Sequence, residues 1–232
     1  MKKHKAAIRA ALPHTLPILS GYLVLGSAYG ILMNSNGISL LWTVFSSIFI
    51  YAGSMQFVTV ALLATGFDLL GAFMMTLMVN ARHIFYGISF LGKYRNMGPI
   101  KPYLIFSLTD ETFSLLCSLK PPLDIPEKWF YFYISLFNQI YWISGSILGS
   151  LLGSLLGFET RGLEFVLTAL FVVIFIGQWK TAKNHIPAII GILSAVICRL
   201  IFGATDFIIP SMLLILLSVT LSRGPIERRS LK

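Results

Sequence analysis

The sequence predicts an all-α, polytopic integral membrane protein, and three observations carry that prediction. Only 12% of the 232 residues are charged while 56% are hydrophobic, against about 25% charged in soluble domains. No Asp, Glu, Lys or Arg falls between Arg9 and Asp68, or between Trp129 and Phe158, so uncharged runs of the roughly 20 residues that cross a bilayer recur along the chain. Finally, Lys2, Lys3, Lys5 and Arg9 precede the first apolar run, and Arg223, Arg228, Arg229 and Lys232 follow the last. That placement fits the positive-inside rule, with both termini cytoplasmic beside anionic head groups. A soluble enzyme, a disordered tail and a nucleic-acid-binding domain are excluded; the net charge of +9 has no basic and aromatic interleaving behind it.

Segment one covers about 13–33, with Pro17 suited to a helix first turn. Pro13, His14 and Pro17 interrupt it and no small-residue cleavage site ends it, so it reads as an uncleaved helix and not a signal peptide. Asn34-Ser35-Asn36-Gly37 is a turn. Segment two covers about 39–64, segment three 68–91 and segment four 103–119, with a polar stretch over 92–101. The loop 120–128 holds Pro121, Pro122 and Pro126 and lies outside the membrane. Segments five to eight cover about 129–157, 163–179, 185–200 and 207–221. Eight simple crossings with both termini inside put Lys93, Arg95 and Lys101 outside. A re-entrant or broken hairpin at segment two brings them inside, but parity then requires segment five to be split. The flanking charges do not choose between the two.

The whole chain, 1–232, reads as one membrane domain. Gly26-Ser27-x-x-Gly30 echoes Gly145-Ser146-x-x-Gly149, which raises a two-repeat organisation over about 13–119 and 129–222. Trp129 to Tyr133 and Trp179 read as interfacial aromatic belts. Gly145, Gly149 and Gly153 form a stripe that admits close backbone approach, either of a partner subunit or in ordinary helix packing. Cys117 and Cys198 have neither metal-ligand nor disulfide spacing; no cofactor and no metal is expected.

Polar residues inside apolar segments are costly, about 2.5–3.5 kcal/mol for a central charge, and therefore informative. Asp110 and Glu111 sit near the middle of segment four. They suit a substrate ammonium or a coupling proton; the alternatives are an ion pair with Arg82, or a displaced helix boundary. Asn80, His83 and Gly87 share one helix face, and Arg82 and Tyr86 the next. His83 can relay protons, and Arg82 can snorkel to an interface. Tyr51-Ala-Gly-Ser-Met-Gln56 interrupts segment two. A break there exposes backbone N–H groups that receive a carboxylate, with Gly53 and Ser54 forming the opening and Gln56 adding a polar contact. The alternative is a continuous helix with Gln56 bonded to a neighbour. A free amino acid needs an anion site, a cation site and an apolar space, and the chain has a candidate for each. No phosphate loop and no His-Glu-x-x-His motif occurs, and nothing places Ser54 beside His83 as a hydrolase would need. The chain does not read as an enzyme.

Residues 17–30, Tyr51-Ala-Gly-Ser-Met-Gln-Phe57, Asn80-Ala-Arg-His83 with Tyr86-Gly87, Asp110-Glu111, and Gly162-Leu-Glu-Phe165 ahead of Ala169-Leu-Phe171 occur in that order. The pattern resembles the AzlC family of branched-chain amino acid permeases over about 13–183, most specifically in the Tyr-Ala-Gly-Ser and Asn-x-Arg-His blocks. The resemblance implies a bacterial cytoplasmic-membrane exporter of leucine, isoleucine, valine and sometimes methionine, driven by an ion gradient, protons foremost. It also implies a small AzlD-type membrane subunit as partner. Ala81 replaces a larger apolar residue and Glu164 a more common Asp, changes that bear on side-chain specificity. On this reading Tyr51, Gly53, Ser54, Gln56 and Asn80 bind substrate, while Arg82, His83, Asp110 and Glu111 couple protons or relay charge. A different small amphiphilic cargo, or a non-transporting assembly or regulatory subunit, are the alternatives.

Overall fold

A computed structural model describes residues 2–65, 69–156, 172, 175–176, 179–180 and 184–222. The chain divides into two units, Met1–Val166 and Leu167–Lys232, and every regular element among the described residues is helical. The first unit contains α1 (Lys2–Ser35), α2 (Leu40–Phe49), α3 (Gly53–Thr65), α4 (Leu69–Phe90), α5 (Lys101–Phe106), α6 (Asp110–Ser118) and α7 (Glu127–Leu156); the second contains α8 (Ile186–Asp206) and α9 (Ile208–Leu221). Most of segment six, the Gly162 to Phe171 motif with Glu164, and the C-terminal basic cluster lie outside the described residues.

Helix α1 starts eleven residues earlier than expected and carries Pro13 and Pro17 inside it. Packing explains the extension. Ala7 and Ala11 are fully buried, and His4 lies on Trp129 at 4.2 Å while its Nδ1 meets the Tyr133 hydroxyl at 2.9 Å. The N-terminal turns are therefore held by α7 rather than by helix propensity.

Helices α1 and α7 run parallel. His4 meets Trp129, Thr15 Oγ1 meets the Tyr141 hydroxyl at 3.1 Å, and Ser27 Oγ donates to the Gly145 carbonyl at 3.2 Å. Further along, Gly153 faces Asn34. The glycine stripe of α7 is thus matched within the chain by Gly26 and Gly30 of α1. A Cβ on Gly26 would lie 2.9 Å from the Trp142 carbonyl oxygen, and one on Gly145 2.6 Å from the Tyr22 carbonyl oxygen.

Two segments expected to be continuous, or left open, are divided in two. Segment two breaks at 50–52, where Tyr51 has φ of 44°, a left-handed backbone uncommon outside glycine. The amides of Ile50 and Tyr51 both donate to the Ser46 carbonyl, at 2.9 and 3.1 Å, which closes α2. Segment four breaks at 107–109, which corrects the expectation that Asp110 and Glu111 lie mid-helix. Ser107 Oγ donates back to the Tyr103 carbonyl at 2.8 Å and closes α5. Thr109 adopts an extended backbone, and its Oγ1 accepts from the Thr112 amide at 3.3 Å, capping α6. Asp110 and Glu111 then occupy the first turn, where the helix dipole favours negative charge. Segment five is not split; α7 is unbroken over 30 residues.

A buried cluster of Ala11, Phe90, Tyr94, Met97, Leu104, Leu116, Phe130 and Tyr131 joins the start of α1, the ends of α4 and α6, and the start of α7. Lys93 Nζ donates to the Leu116 carbonyl and lies over the Phe90 and Tyr131 rings at 5.1 and 4.9 Å. These elements share one end of the unit. In the second unit α8 opens with Asn184 Oδ1 accepting from the Ile186 amide at 3.0 Å. It is interrupted at Gly203, where φ is 83°, and Phe207 leads directly into α9.

Candidate functional site

The two breaks meet. Arg82 of α4 donates from Nη2 to Ser54 Oγ at 2.8 Å, in the first turn of α3, and its Nη1 lies 2.6 Å from Asp110 Oδ2 at the start of α6. Tyr86, one turn along α4, donates to Asp110 Oδ1 at 3.0 Å. The ring of Tyr51 at one break lies 6.2 Å from that of Phe106 beside the other. One guanidinium therefore ties together the beginnings of two half-helices.

Each start offers a different charge. At α3 the Gln56 amide donates to the Ala52 carbonyl at 2.9 Å, so the helix proper opens after Ala52. An alanine methyl cannot cap, and the amides of Gly53, Ser54 and Met55 have no acceptor inside their helix. They present the positive end of a helix dipole. At α6 the two carboxylates part company. Asp110 is held by Arg82 and Tyr86. Glu111 is paired with no basic side chain among the described residues; its Oε2 accepts from the Tyr22 hydroxyl at 2.7 Å, and that hydroxyl also lies 2.8 Å from Thr109 Oγ1. Tyr51, only 3% exposed, faces the same group of Tyr22, Thr109 and Glu111.

The remaining expected residues separate into site and scaffold. Gly53 lets the Trp142 indole lie against the break, since a Cβ there would be 3.1 Å from the ring. Gln56 is fully engaged: Trp142 Nε1 donates to its Oε1 at 3.0 Å, and its Nε2 reaches Ser46 and Ser47 at 3.5 and 3.4 Å. It braces α2 and α3 against α7, and the polar contact expected from it is made to protein. His83 meets the Asn80 carbonyl of its own helix at 3.2 Å and packs edge-on to Tyr86; Ser54 is bonded to Arg82. Asn80 Oδ1 and Arg82 Nε are buried without partners among the described residues. Gly145, Gly149 and Gly153 face α1.

Sequence reasoning missed Tyr22, Thr109, Asn138, Gln139 and Trp142. Asn138 Nδ2 donates to Thr112 Oγ1 at 3.0 Å and Gln139 Nε2 to the Ile48 carbonyl at 3.1 Å, so adjacent amides on α7 hold α6 and α2. Two neighbouring amides deep in an apolar segment were the readable signal.

A test of the Arg82–Asp110 tie follows directly. Arg82→Gln and Asp110→Asn each leave a charge without its partner, so each is expected to lower the melting temperature of the detergent-purified protein. The double variant is expected to lose less than the two losses added. Strict additivity would mean that the pair does not hold α4 and α6 together.

Residues 17–156 match the family described as AzlC protein, a span that contains every site residue named above. The chain belongs to the AzlC family. It is 47% identical over 223 residues to the branched-chain amino acid transport protein AzlC of Bacillus subtilis, covering 96% of this chain and 88% of that one. An uncharacterized membrane protein of Helicobacter pylori strain 26695 is 42% identical over 98% of this chain and 100% of its own length. The inner membrane protein YgaZ of Escherichia coli is 29% identical over 86% of this chain and 82% of its own. No solved structure matches. The AzlC family is one of membrane transport proteins and not of enzymes.

Proposed function

We propose that this AzlC chain is the larger subunit of a secondary transporter that exports leucine, isoleucine, valine and, as a secondary cargo, methionine across the bacterial cytoplasmic membrane. The observation that carries the reading is the opposition of two half-helix starts across Arg82: free amides at Gly53 to Met55, and the unpaired carboxylate of Glu111. A zwitterion fits between them. Its carboxylate is received at the α3 start and its ammonium by Glu111 with the hydroxyls of Tyr22 and Tyr51. The rings of Tyr86 and Phe113, stacked at 4.3 Å, with Trp142 beside Gly53, give apolar walls for a branched side chain.

Glu111 is the group that carries the coupling proton in this scheme, because Asp110 is already neutralised by Arg82. Asn80, Arg82 and His83 line the path and move with the gate. A small AzlD-type membrane subunit is the expected partner. It binds elsewhere than on the Gly145, Gly149 and Gly153 stripe, which α1 covers. Both termini face the cytoplasm.

Efflux of labelled leucine and valine from cells preloaded with dipeptides tests the proposal. Cells expressing this chain together with the small subunit encoded beside it are expected to lose label faster than cells expressing neither. Unchanged efflux with the assembled complex present in the membrane would mean that the cargo is a different molecule.

A further inference from the structure

We infer that the first unit enters the membrane through two re-entrant hairpins of opposite orientation, α2–α3 from the outside and α5–α6 from the cytoplasm, whose tips are tied in mid-membrane by Arg82. The inference concerns topology and holds whatever the cargo.

Length is the first argument. The hydrocarbon core is about 30 Å thick, and at about 1.5 Å per residue helices α2, α3, α5 and α6 reach only about 15, 20, 9 and 14 Å. None of the four crosses alone. Helices α1, α4 and α7 are all long enough, at 34, 22 and 30 residues.

Direction is the second. Helices α1 and α7 run parallel, and α4 runs against them, because Phe90 and Lys93 at its end lie beside Ala11, Leu116 and Tyr131. Arg82 is about two turns back from that end and touches both tips. The start of α4 therefore lies at the opposite end, where α1 finishes. Only residues 66–68 separate Thr65 from Leu69, a reach of about 14 Å at full extension. So α3 returns to the end from which α2 set out. Helix α5 leaves the other end just after Met97, and α6 returns to it at Leu116. One hairpin hangs from each face.

Charge fixes which face is which. Lys3, Lys5, Arg9, Lys93, Arg95, Lys101, Lys120 and Lys128 all belong to the end where α1 begins, while no Lys or Arg occurs from Ala10 to Ala81. The positive-inside rule makes the first end cytoplasmic. The break in segment four supplies the parity that the sequence alone sought in segment five. The tips then meet as discontinuous helices do in transporters, with irregular backbone only where protein surrounds it.

Cysteine labelling decides the matter. In a Cys117→Ser, Cys198→Ser background, single cysteines are placed at the exposed positions Asn36, Asn96 and Leu123 and treated with a membrane-impermeant maleimide. Asn36→Cys is expected to react in intact cells. Asn96→Cys and Leu123→Cys are expected to react only after permeabilisation, with Arg95→Cys giving the same result where Asn96→Cys fails to accumulate. Reaction of position 96 in intact cells as strongly as position 36 would overturn the hairpin assignment. Reaction of position 123 with protection of position 36 would overturn the orientation.

Discussion

Glu111→Gln is expected to abolish export while leaving the protein folded and inserted. The substitution keeps size and retains an acceptor for the Tyr22 hydroxyl, so the α6 start and its contact with α1 survive. What it removes is the charge that, in the proposed scheme, meets the substrate ammonium and takes the coupling proton. Truncating one partner of a buried charged pair costs about 2–5 kcal/mol, which corresponds to a loss of efflux of roughly one and a half to three and a half orders of magnitude. Asp110→Asn is expected to behave differently. Its carboxylate holds Arg82 and Tyr86, so its loss shows as reduced stability, with a smaller defect per assembled molecule. Valine efflux normalised to membrane-inserted protein separates the two. Equal residual activity in both variants would remove the distinction between a coupling and a structural carboxylate.

Gly149→Leu is expected to prevent the first unit from assembling. A side chain there would be driven into the backbone of Ser27, and the reciprocal position Gly30 is closed by the backbone of Ser146, Gly149 and Ser150. Backbone cannot rotate away as a side-chain tip can, so α1 and α7 must separate along the interface that carries both hairpins. Overpacking a core costs about 1–3 kcal/mol and occasionally more; this site belongs at the upper end. The expected readout is near-complete loss of monodisperse protein on size exclusion after detergent extraction. Gly21→Ala, where nothing lies within 4 Å of the added carbon, is expected to leave the yield unchanged. Normal yield of Gly149→Leu with loss of a partner subunit alone would instead make the stripe an intersubunit surface.

What the sequence disclosed depended on whether the informative residue stood out from its surroundings. The break at 50–52 was legible because Tyr-Ala-Gly-Ser is small and polar within an apolar run. The break at 107–109 was not, because Ser107, Leu108 and Thr109 are unremarkable singly and the acids after them drew attention to charge rather than to backbone. Thr109 with Asp110 and Glu111 behind it is nonetheless a helix-start pattern, a capping hydroxyl ahead of first-turn acids. The echo between Gly26 and Gly30 on one side and Gly145 and Gly149 on the other was visible. The sequence could not say that the two sets are each other's contact, which arises only once α1 and α7 lie parallel. Tyr22 carried no signal at all: a tyrosine mid-segment reads as packing, and its role comes from Glu111, 89 residues away. The early start of α1 was hidden for a related reason, since packing against Trp129 and Tyr133 outweighs a lysine-rich sequence interrupted by prolines.

The central claim is that a zwitterion is held by charge at both ends, between the α3 start and Glu111. Ligand-induced stabilisation of the purified complex tests it most directly, because a ligand that binds the folded state raises the melting temperature by mass action. L-leucine is expected to stabilise the wild-type complex. Leucinamide, which lacks the carboxylate, and 4-methylpentanoate, which lacks the ammonium, are expected to do so weakly or not at all at equal concentration. Stabilisation by 4-methylpentanoate as large as that by leucine would show that no carboxylate meets the ammonium, and would contradict the account.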